Sequence, residues 1–355
     1  MPSSDKHIIF VLNPGSTSTK LAVYEGDQEL KREVMRLPQF SGIQQRRIWE
    51  DYESRFETIK AWFIETKLRP AAVAGIGGLL KPVKGGTYHV NARMIDDAKQ
   101  NIQGEHASNL GCVLAHELAL EYGCPSFVVD PVSTDELEPL ARYSGHPSIE
   151  RKSLSHALNI HAAARRASVE LGRSLDTSSF VVAHLGGGIS VAPVKNGKII
   201  DVNDASSDGP FSPERTGGLP LQAFISIAFS GKTTETEMRA MVMGKGGLAS
   251  YLGTKSAEEV EDRIRSGDSH AAEVLEAMAY QISKEIGAMA TVLSGSLQAI
   301  VLTGGLAASV RLTGWIANRV RFLGPVLVYP GEHELLALAQ GASRVLRGEE
   351  QAKEY

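Results

Sequence analysis

The sequence predicts an α/β protein made of two similar halves facing a cleft. Three observations carry that prediction. The chain has 355 residues, enough for about two domains. Short apolar runs of strand length are interspersed with longer stretches of helical periodicity. Residues 8–30 and 180–202 share one plan of apolar strand, Gly-rich polar turn, apolar strand, Gly turn and strand. Composition agrees, with 43% apolar residues, 22% charged residues and 35 glycines.

The first strand is Ile8 to Leu12 and its return is Leu21 to Tyr24. Between them lies Asn13-Pro14-Gly15-Ser16-Thr17-Ser18-Thr19-Lys20. Its backbone N–H groups, hydroxyls and one ammonium are equipment for holding phosphate oxygens. Taken alone, the stretch reads first as a polar hairpin loop. Over 44–67, Trp49, Tyr52, Phe56, Ile59 and Phe63 recur at helical spacing, which is the mark of core packing. Residues 71–80 form a strand running into a Gly turn, and 81–88 continue as loop. Gly104-Glu105-His106-Ala107-Ser108-Asn109 opens a helix that runs to Tyr122. A short apolar strand at 126–129 should be buried on both faces of a sheet. It ends in Asp130, at the strand end where α/β sheets bind ligands.

A helix over 151–172 begins the second half. Strand 180–183, the turn His184-Leu185-Gly186-Gly187-Gly188, strand 189–194, a hairpin turn and strand 199–202 repeat the opening plan. Residues 204–220 form a Gly- and Pro-rich loop long enough to be functional. Helices follow at 221–230, 235–243 and 270–293. A strand at 300–302 enters the turn Thr303-Gly304-Gly305-Leu306-Ala307, which precedes another helix. A last strand at 326–331 leads into a terminal helix opened by Glu332-His333-Glu334.

Several function classes are excluded. The formal charge is −4 with no basic block, which argues against nucleic acid and anionic membranes as partners. Cys112 and Cys124 lie outside any metal-pair spacing and read as core residues in a reducing compartment. The first residues lack a signal-peptide core and nothing resembles a membrane span, so the expected location is the cytoplasm. Gly231-Lys232-Thr233 lacks the upstream glycine and strand of a P-loop. Neither a dinucleotide-binding GxGxxG, an HExxH nor a GxSxG elbow is present.

What remains is three Gly-rich turns after strands, oxygen ligands at Asn13, Asp130 and Glu334, and cationic or switchable groups at His106, His156, His184 and Arg215. Phosphoryl transfer needs such an inventory: donors for nucleotide phosphates, oxygens for Mg²⁺, and positive charge for the phosphoryl in flight.

At this point the chain resembles the butyrate kinase branch of the acetate kinase family, within the superfamily that holds sugar kinases and actin. The matching stretches are residues 13–20 and Gly104-Glu105-His106-Ala107-Ser108-Asn109-Leu110-Gly111, then Val128-Val129-Asp130-Pro131 and Ser144-Gly145-His146-Pro147. They continue through His184-Leu185-Gly186-Gly187-Gly188-Ile189-Ser190, Asp208-Gly209-Pro210-Phe211, Pro213-Glu214-Arg215 and Leu302-Thr303-Gly304-Gly305-Leu306-Ala307. The resemblance implies two duplicated ribonuclease H-like (actin-like ATPase) domains. Residues 1–150 with 331–355 would form the acid-side domain and 151–330 the nucleotide-binding domain. It also implies ATP/ADP, Mg²⁺, a homodimer or higher homo-oligomer, and reversible phosphorylation of a short-chain carboxylate. Butyrate, acetate, propionate and branched acids are all open as that carboxylate.

Carried over by position, Asn13 with Ser16, Thr17, Ser18 and Lys20 resembles the site near the transferred phosphoryl. Asp130 resembles the catalytic acid that helps place magnesium, and Glu334 a magnesium-site carboxylate. Arg215 and His156 resemble groups that stabilise the phosphoryl in flight, and His106 another active-site histidine. His184 with Gly186, Gly187 and Gly188 resembles the nucleotide phosphate loop. Thr303, Gly304, Gly305 and Leu306 resemble the adenosine-binding turn. His146, His161 and His333 are read as structural. One position departs from the family: the strand before Gly77-Gly78-Leu79-Leu80 usually ends in Arg, and here it ends in Ile76. The change removes a bidentate anion clamp. Lys81, Lys84 or Arg93 replaces it, activity falls to that of a nucleotide-binding homologue, or acid preference has changed.

Overall fold

The computed structural model describes residues 6–36 and 48–355. The N-terminal residues 1–5 and the first part of the expected 44–67 helix, residues 44–47, lie outside the described residues. The chain divides into two compact units, Met1–Asp135 with His333–Tyr355, and Glu136–Glu332. The first boundary falls before the expected residue 150 because the intervening segment is bonded into unit 2. The Glu138 N–H donates to the Ile200 carbonyl, and the Arg151 guanidinium donates to the carbonyls of Ala141 and Val202.

Unit 1 begins with an antiparallel meander, β1 (Ile8–Pro14), β2 (Ser18–Glu25) and β3 (Gln28–Arg36). A 3₁₀ turn at Ile48–Asp51 leads into α1 (Tyr52–Glu65). Then come β4 (Ala72–Ile76), β5 (Thr87–His89), α2 (Ala92–Lys99), α3 (Asn109–Tyr122) and β6 (Ser126–Val129). The sheet order is β3-β2-β1-β4-β6-β5, with β4 and β6 parallel to β1. Strands β4 and β6 are buried throughout, as strands covered on both faces must be. Phe10, Leu12, Val73 and Val128 share a core with Tyr52, Phe56, Ile59 and Phe63 of α1 and Leu110 and Leu114 of α3. The aromatic stripe is therefore core, and Phe10 stacks on Phe63 with ring centroids 4.3 Å apart.

Unit 2 begins with a hairpin, β7 (Tyr143–His146) and β8 (Ile149–Glu150), followed by α4 (Ala157–Glu170). A second meander follows, β9 (Ser179–Leu185), β10 (Ile189–Lys195) and β11 (Lys198–Ile199). Next come α5 (Leu221–Ala228), α6 (Glu235–Val242), α7 (Gly247–Leu252), α8 (Ala257–Arg265) and the long α9 (Ser269–Val292). The unit closes with β12 (Ala299–Gly304), α10 (Val310–Val320) and β13 (Val326–Pro330). Its sheet order is β11-β10-β9-β12-β13, with β12 parallel to β9 and β13. Alternate residues of β9 serve two cores, as the strand period of two requires. Val181, Ala183 and Leu185 pack with α9 and α10, while Phe180 and Val182 pack with α4. The chain then returns to unit 1 as α11 (Glu334–Leu346), whose Gly341 lies against Val129 of β6.

The two sheets share one plan, an antiparallel meander whose first strand is flanked by parallel strands. This is the duplicated ribonuclease H-like architecture that the family resemblance implies. Details differ. Residues 87–89 pair with β6 as an edge strand where loop is expected. Helix α4 starts at Ala157 rather than 151, because Ser153 and Ser155 favour non-helical backbone and Arg151 is drawn onto Asp201 at 2.9 Å. Strand β11 ends at Ile199, with Asp201 Oδ1 accepting from the Val202 N–H. Helices α2, α7 and α8 were not foreseen, since each buries few apolar residues. Cys112 is fully buried, which pushes its thiol up to about 12. Among the described residues, no helix is long and apolar enough to cross a membrane.

Candidate active site

In unit 1 the hairpin register sets Asn13, at the end of β1, opposite Lys20 of β2. Gly15-Ser16-Thr17 is the turn, closed by the Gly15 N–H donating to the Ser18 carbonyl at 2.7 Å. Ser16 and Thr17 are exposed. The Asn13 amide donates to Glu334 Oε2 at 2.5 Å, and the Lys20 ammonium lies 4.0 Å from the same oxygen. Two residues of the opening hairpin and one from the far end of the chain thus form one cluster at the start of α11. Beneath the hairpin, Arg55 of α1 is 6% exposed. It donates to the Gly15 carbonyl at 3.1 Å and to Thr19 Oγ1 at 3.4 Å. Its Nε has no hydrogen-bond partner among the described residues. Sequence reading passed over Arg55, although a lone arginine inside an aromatic stripe was a visible signal.

Asp130 follows β6 directly, at φ +40. Its Oδ1 accepts from the Gly86 N–H at 2.6 Å, and its own N–H donates to the Gly86 carbonyl. His106 is exposed, ahead of α3. Its Nδ1 lies 2.7 Å from Ser108 Oγ and accepts from the Ser108 N–H, so the ring proton sits on Nε2. Asn109, fully buried, ties the neighbouring loops together through the Leu79 N–H and the Gly104 carbonyl.

Ile76 ends β4, and the carbonyl and methyl of that residue crowd Gly111 of α3. Of the three cations named as replacements for an arginine there, Lys81 pairs with Asp97 at 2.8 Å, Arg93 lies over the Tyr355 ring and Lys84 is exposed.

Unit 2 gathers its candidates more tightly. His184 and Thr303 are register neighbours on β9 and β12. The His156 ring stacks on His184 with centroids 4.1 Å apart, and its Nδ1 lies 2.9 Å from Ser190 Oγ. Burial pushes His184 down to about 4. His156 is held well below the usual histidine range, by burial first and then by His184 and Arg215. Both imidazoles are therefore neutral at pH 7. The Gly186-Gly187-Gly188 turn needs its lack of side chains. A Cβ on Gly188 would lie 2.7 Å from Arg215 Cζ, so the guanidinium packs flat on the turn. Arg215 donates to the Ala205 carbonyl, and its Nε has no hydrogen-bond partner among the described residues. Burial lowers its pKa from the ordinary value, opposed by Glu214 and Asp204. Gly304, at φ +95, brings the 303–306 turn against the Leu185 backbone. A cavity of about 900 Å³ opens beside that turn, lined by Gly305, Leu306, Glu258, Glu261, Arg265 and Arg311. The helix α8 residues in this wall were not singled out from the sequence.

Asp130 and Glu334 offer the hard oxygens that magnesium takes. Among the described residues, no group of three or more His, Cys, Asp or Glu side chains could hold a metal ion. The donor set fits an ion that completes its shell with phosphate oxygens and water, not one held by protein alone.

The Acetokinase family pattern matches residues 150–344. The chain is 50% identical over 357 aligned positions to a probable butyrate kinase of Listeria monocytogenes, covering 98% of this chain and 99% of that one. It is 46% identical over 354 positions to butyrate kinase 2 of Clostridium acetobutylicum, covering 99% of each. Among solved structures, the acetate kinase of Porphyromonas gingivalis superposes with a TM-score of 0.74 at 17% identity, covering 95% of this chain and 99% of that one.

Proposed function

The chain belongs to the acetokinase family, and we propose that it moves the γ-phosphoryl of ATP, reversibly, to the carboxylate of butyrate or a similar short-chain acid. The observation that carries this reading is the convergence in unit 2 of the three-glycine turn, Arg215, His156, His184 and the 303–306 turn at the C-terminal ends of the central strands β9 and β12. Gly186–Gly188 and the 303–306 turn hold the nucleotide, phosphates on the first and adenosine on the second, beside a cavity of suitable size. Arg215 keeps its charge at neutral pH and lies against the three-glycine turn, so its guanidinium meets the negative oxygens of the phosphoryl in flight. Stacked, neutral His156 and His184 donate hydrogen bonds without adding charge. In unit 1, Asn13, Ser16, Thr17, Ser18 and Lys20 face the transferred group, with His106 near the acid. Mg²⁺, where bound, would be held by Asp130 and Glu334 together with phosphate oxygens, and it neutralises phosphate charge.

The acid is already ionised at pH 7, so no strong base is needed. One carboxylate oxygen forms a bond to phosphorus as the bond to the bridging oxygen of ADP breaks, and ADP leaves with that electron pair. Asp130 then positions metal or water rather than taking a proton. Lys81 and Arg93 are engaged by partners in unit 1, which leaves Lys84, reduced activity or an altered acid preference as the consequence of Ile76. The exposed apolar residues of α5, Leu221, Ile225 and Ile227, support self-association into a homo-oligomer. The test is an assay with ATP, Mg²⁺ and straight and branched acids of two to six carbons, with hydroxylamine trapping the acyl phosphate. Hydroxamate is expected, most from the four-carbon acid or its neighbours. ATP binding with no hydroxamate from any acid contradicts the reading.

A further inference from the structure

Asp130 sits in a backbone conformation that few residues other than glycine adopt, at φ +40. Such a conformation costs about 1 kcal/mol or more and persists only when its surroundings enforce it. Here the enforcement comes from Gly86, which bonds Asp130 twice, through its N–H to Oδ1 and through its carbonyl to the Asp130 N–H. Gly86 is itself at φ +127, open only to glycine. It is held in turn from outside the sheet.

The holder is the segment after α11. Lys353 donates its ammonium to the Gly85 carbonyl. Glu350 Oε1 accepts from the Thr87 N–H at 2.7 Å. Gly86 lies between these two clamps, and a Cβ there would meet Lys353 Nζ at 2.7 Å and Glu350 Oε1 at 3.1 Å. The Lys353 backbone pairs along β5: its N–H donates to the Thr87 carbonyl at 2.8 Å, and its carbonyl accepts from the His89 N–H at 3.0 Å. Glu350 is tied back to the last turns of α11 by the Arg344 guanidinium at 2.8 Å. Further on, Tyr355 accepts from the Lys81 N–H and donates to Asp97. Helix α11 thus presents Glu334 in its first turn and anchors this strap at its other end.

We propose that Glu350 and Lys353 are positioning residues for phosphoryl transfer, setting the Asp130 carboxylate through residues 85–87. The inference rests on the reading of Asp130 given above. A strap that only caps the sheet edge would affect stability alone. One that positions Asp130 loses its effect on turnover once that carboxylate is gone.

The test places Lys353→Met, Lys353→Arg and Glu350→Gln in the full chain, each with Asp130 intact and with Asp130→Asn. Turnover with ATP, Mg²⁺ and butyrate is followed, together with hydrogen exchange at the Gly86 and Thr87 amides. With Asp130 intact, Lys353→Met and Glu350→Gln should each lower kcat about tenfold, with both KM values within about twofold. Lys353→Arg should recover most of the loss, and exchange at the two amides should quicken in Lys353→Met. In the Asp130→Asn background the same changes should move kcat by less than about twofold. Equal losses in both backgrounds, or unchanged kcat with faster exchange, would overturn the inference. Glu350→Gln keeps its shape, so it decides the matter if Lys353→Met does not fold. If Asp130→Asn alone leaves kcat intact, the functional reading fails first and the inference falls with it.

Discussion

The hairpin β1–β2 and the hairpin β9–β10 occupy equivalent places in their sheets, yet they carry different chemistry. The first has an exposed hydroxyl turn and a paired charge cluster, Asn13, Lys20 and Glu334. The second has a turn without side chains, two neutral imidazoles and an arginine lying on glycine. In unit 1 a carboxylate already compensates the cation. In unit 2 the Arg215 Nε has no hydrogen-bond partner among the described residues, and burial raises the cost of keeping the guanidinium charged. The comparison teaches that one scaffold carries two different turns, a hydroxyl turn with a compensated cation and a bare glycine turn that admits a guanidinium. It also explains the glycines: Gly188 must be bare to admit Arg215, whereas Gly15 has only the Ser18 carbonyl nearby, at 3.2 Å from an added Cβ.

The comparison can be broken most severely at the cations. Arg215→Ala should lower kcat about a thousandfold, measured as acyl phosphate formed at saturating ATP. Lys20→Ala should lower it far less, because Glu334 already offsets that charge. Equal losses would erase the distinction between the turns. A smaller contrast lies in the glycines. Gly188→Ala displaces Arg215 and should reduce kcat at least about tenfold, while Gly15→Ala should stay within about twofold of the parent. The opposite order would mean that the second turn is not packed as described.

The smallest contrast is one of stability and pH. The fold keeps His184 neutral, with its pKa lowered to about 4 from 6.5, so the unfolded chain binds this proton first as pH falls. The stability that results is complete above about pH 6.5 and is lost as pH drops toward 4, a change of about 3 kcal/mol. The urea midpoint of the parent should fall across that window, and it should fall by less in His184→Gln. An identical slope in both proteins would show that His184 is not buried as a neutral ring.

Much of the scaffold was legible because its signals are local. Each strand–turn–strand unit lies within about two dozen residues, and hairpin register follows from the turn itself. The aromatic stripe of α1 announced its burial by period alone. What escaped was long-range. The bond from Asn13 to Glu334 spans 321 residues, and that from Gly86 to Asp130 spans 44. No pattern in the sequence joins Lys353 to Gly85. Helices α2 and α8 escaped because charged residues make up half or more of their length. The early start of unit 2 escaped because the link between Glu138 and Ile200 is made by backbone groups, which leave no trace in residue type. Arg55 was visible as an anomaly, but its partner, the Gly15 carbonyl, is again a backbone atom.

The central claim is that a carboxylate oxygen of the acid is the nucleophile at phosphorus. Butyrate carrying ¹⁸O in both carboxyl positions, incubated with ATP and Mg²⁺, tests it through the ³¹P spectrum of the acyl phosphate. The account predicts a phosphorus resonance shifted by one directly bonded ¹⁸O. An acyl phosphate without that shift, or inorganic phosphate as the sole product, would contradict it.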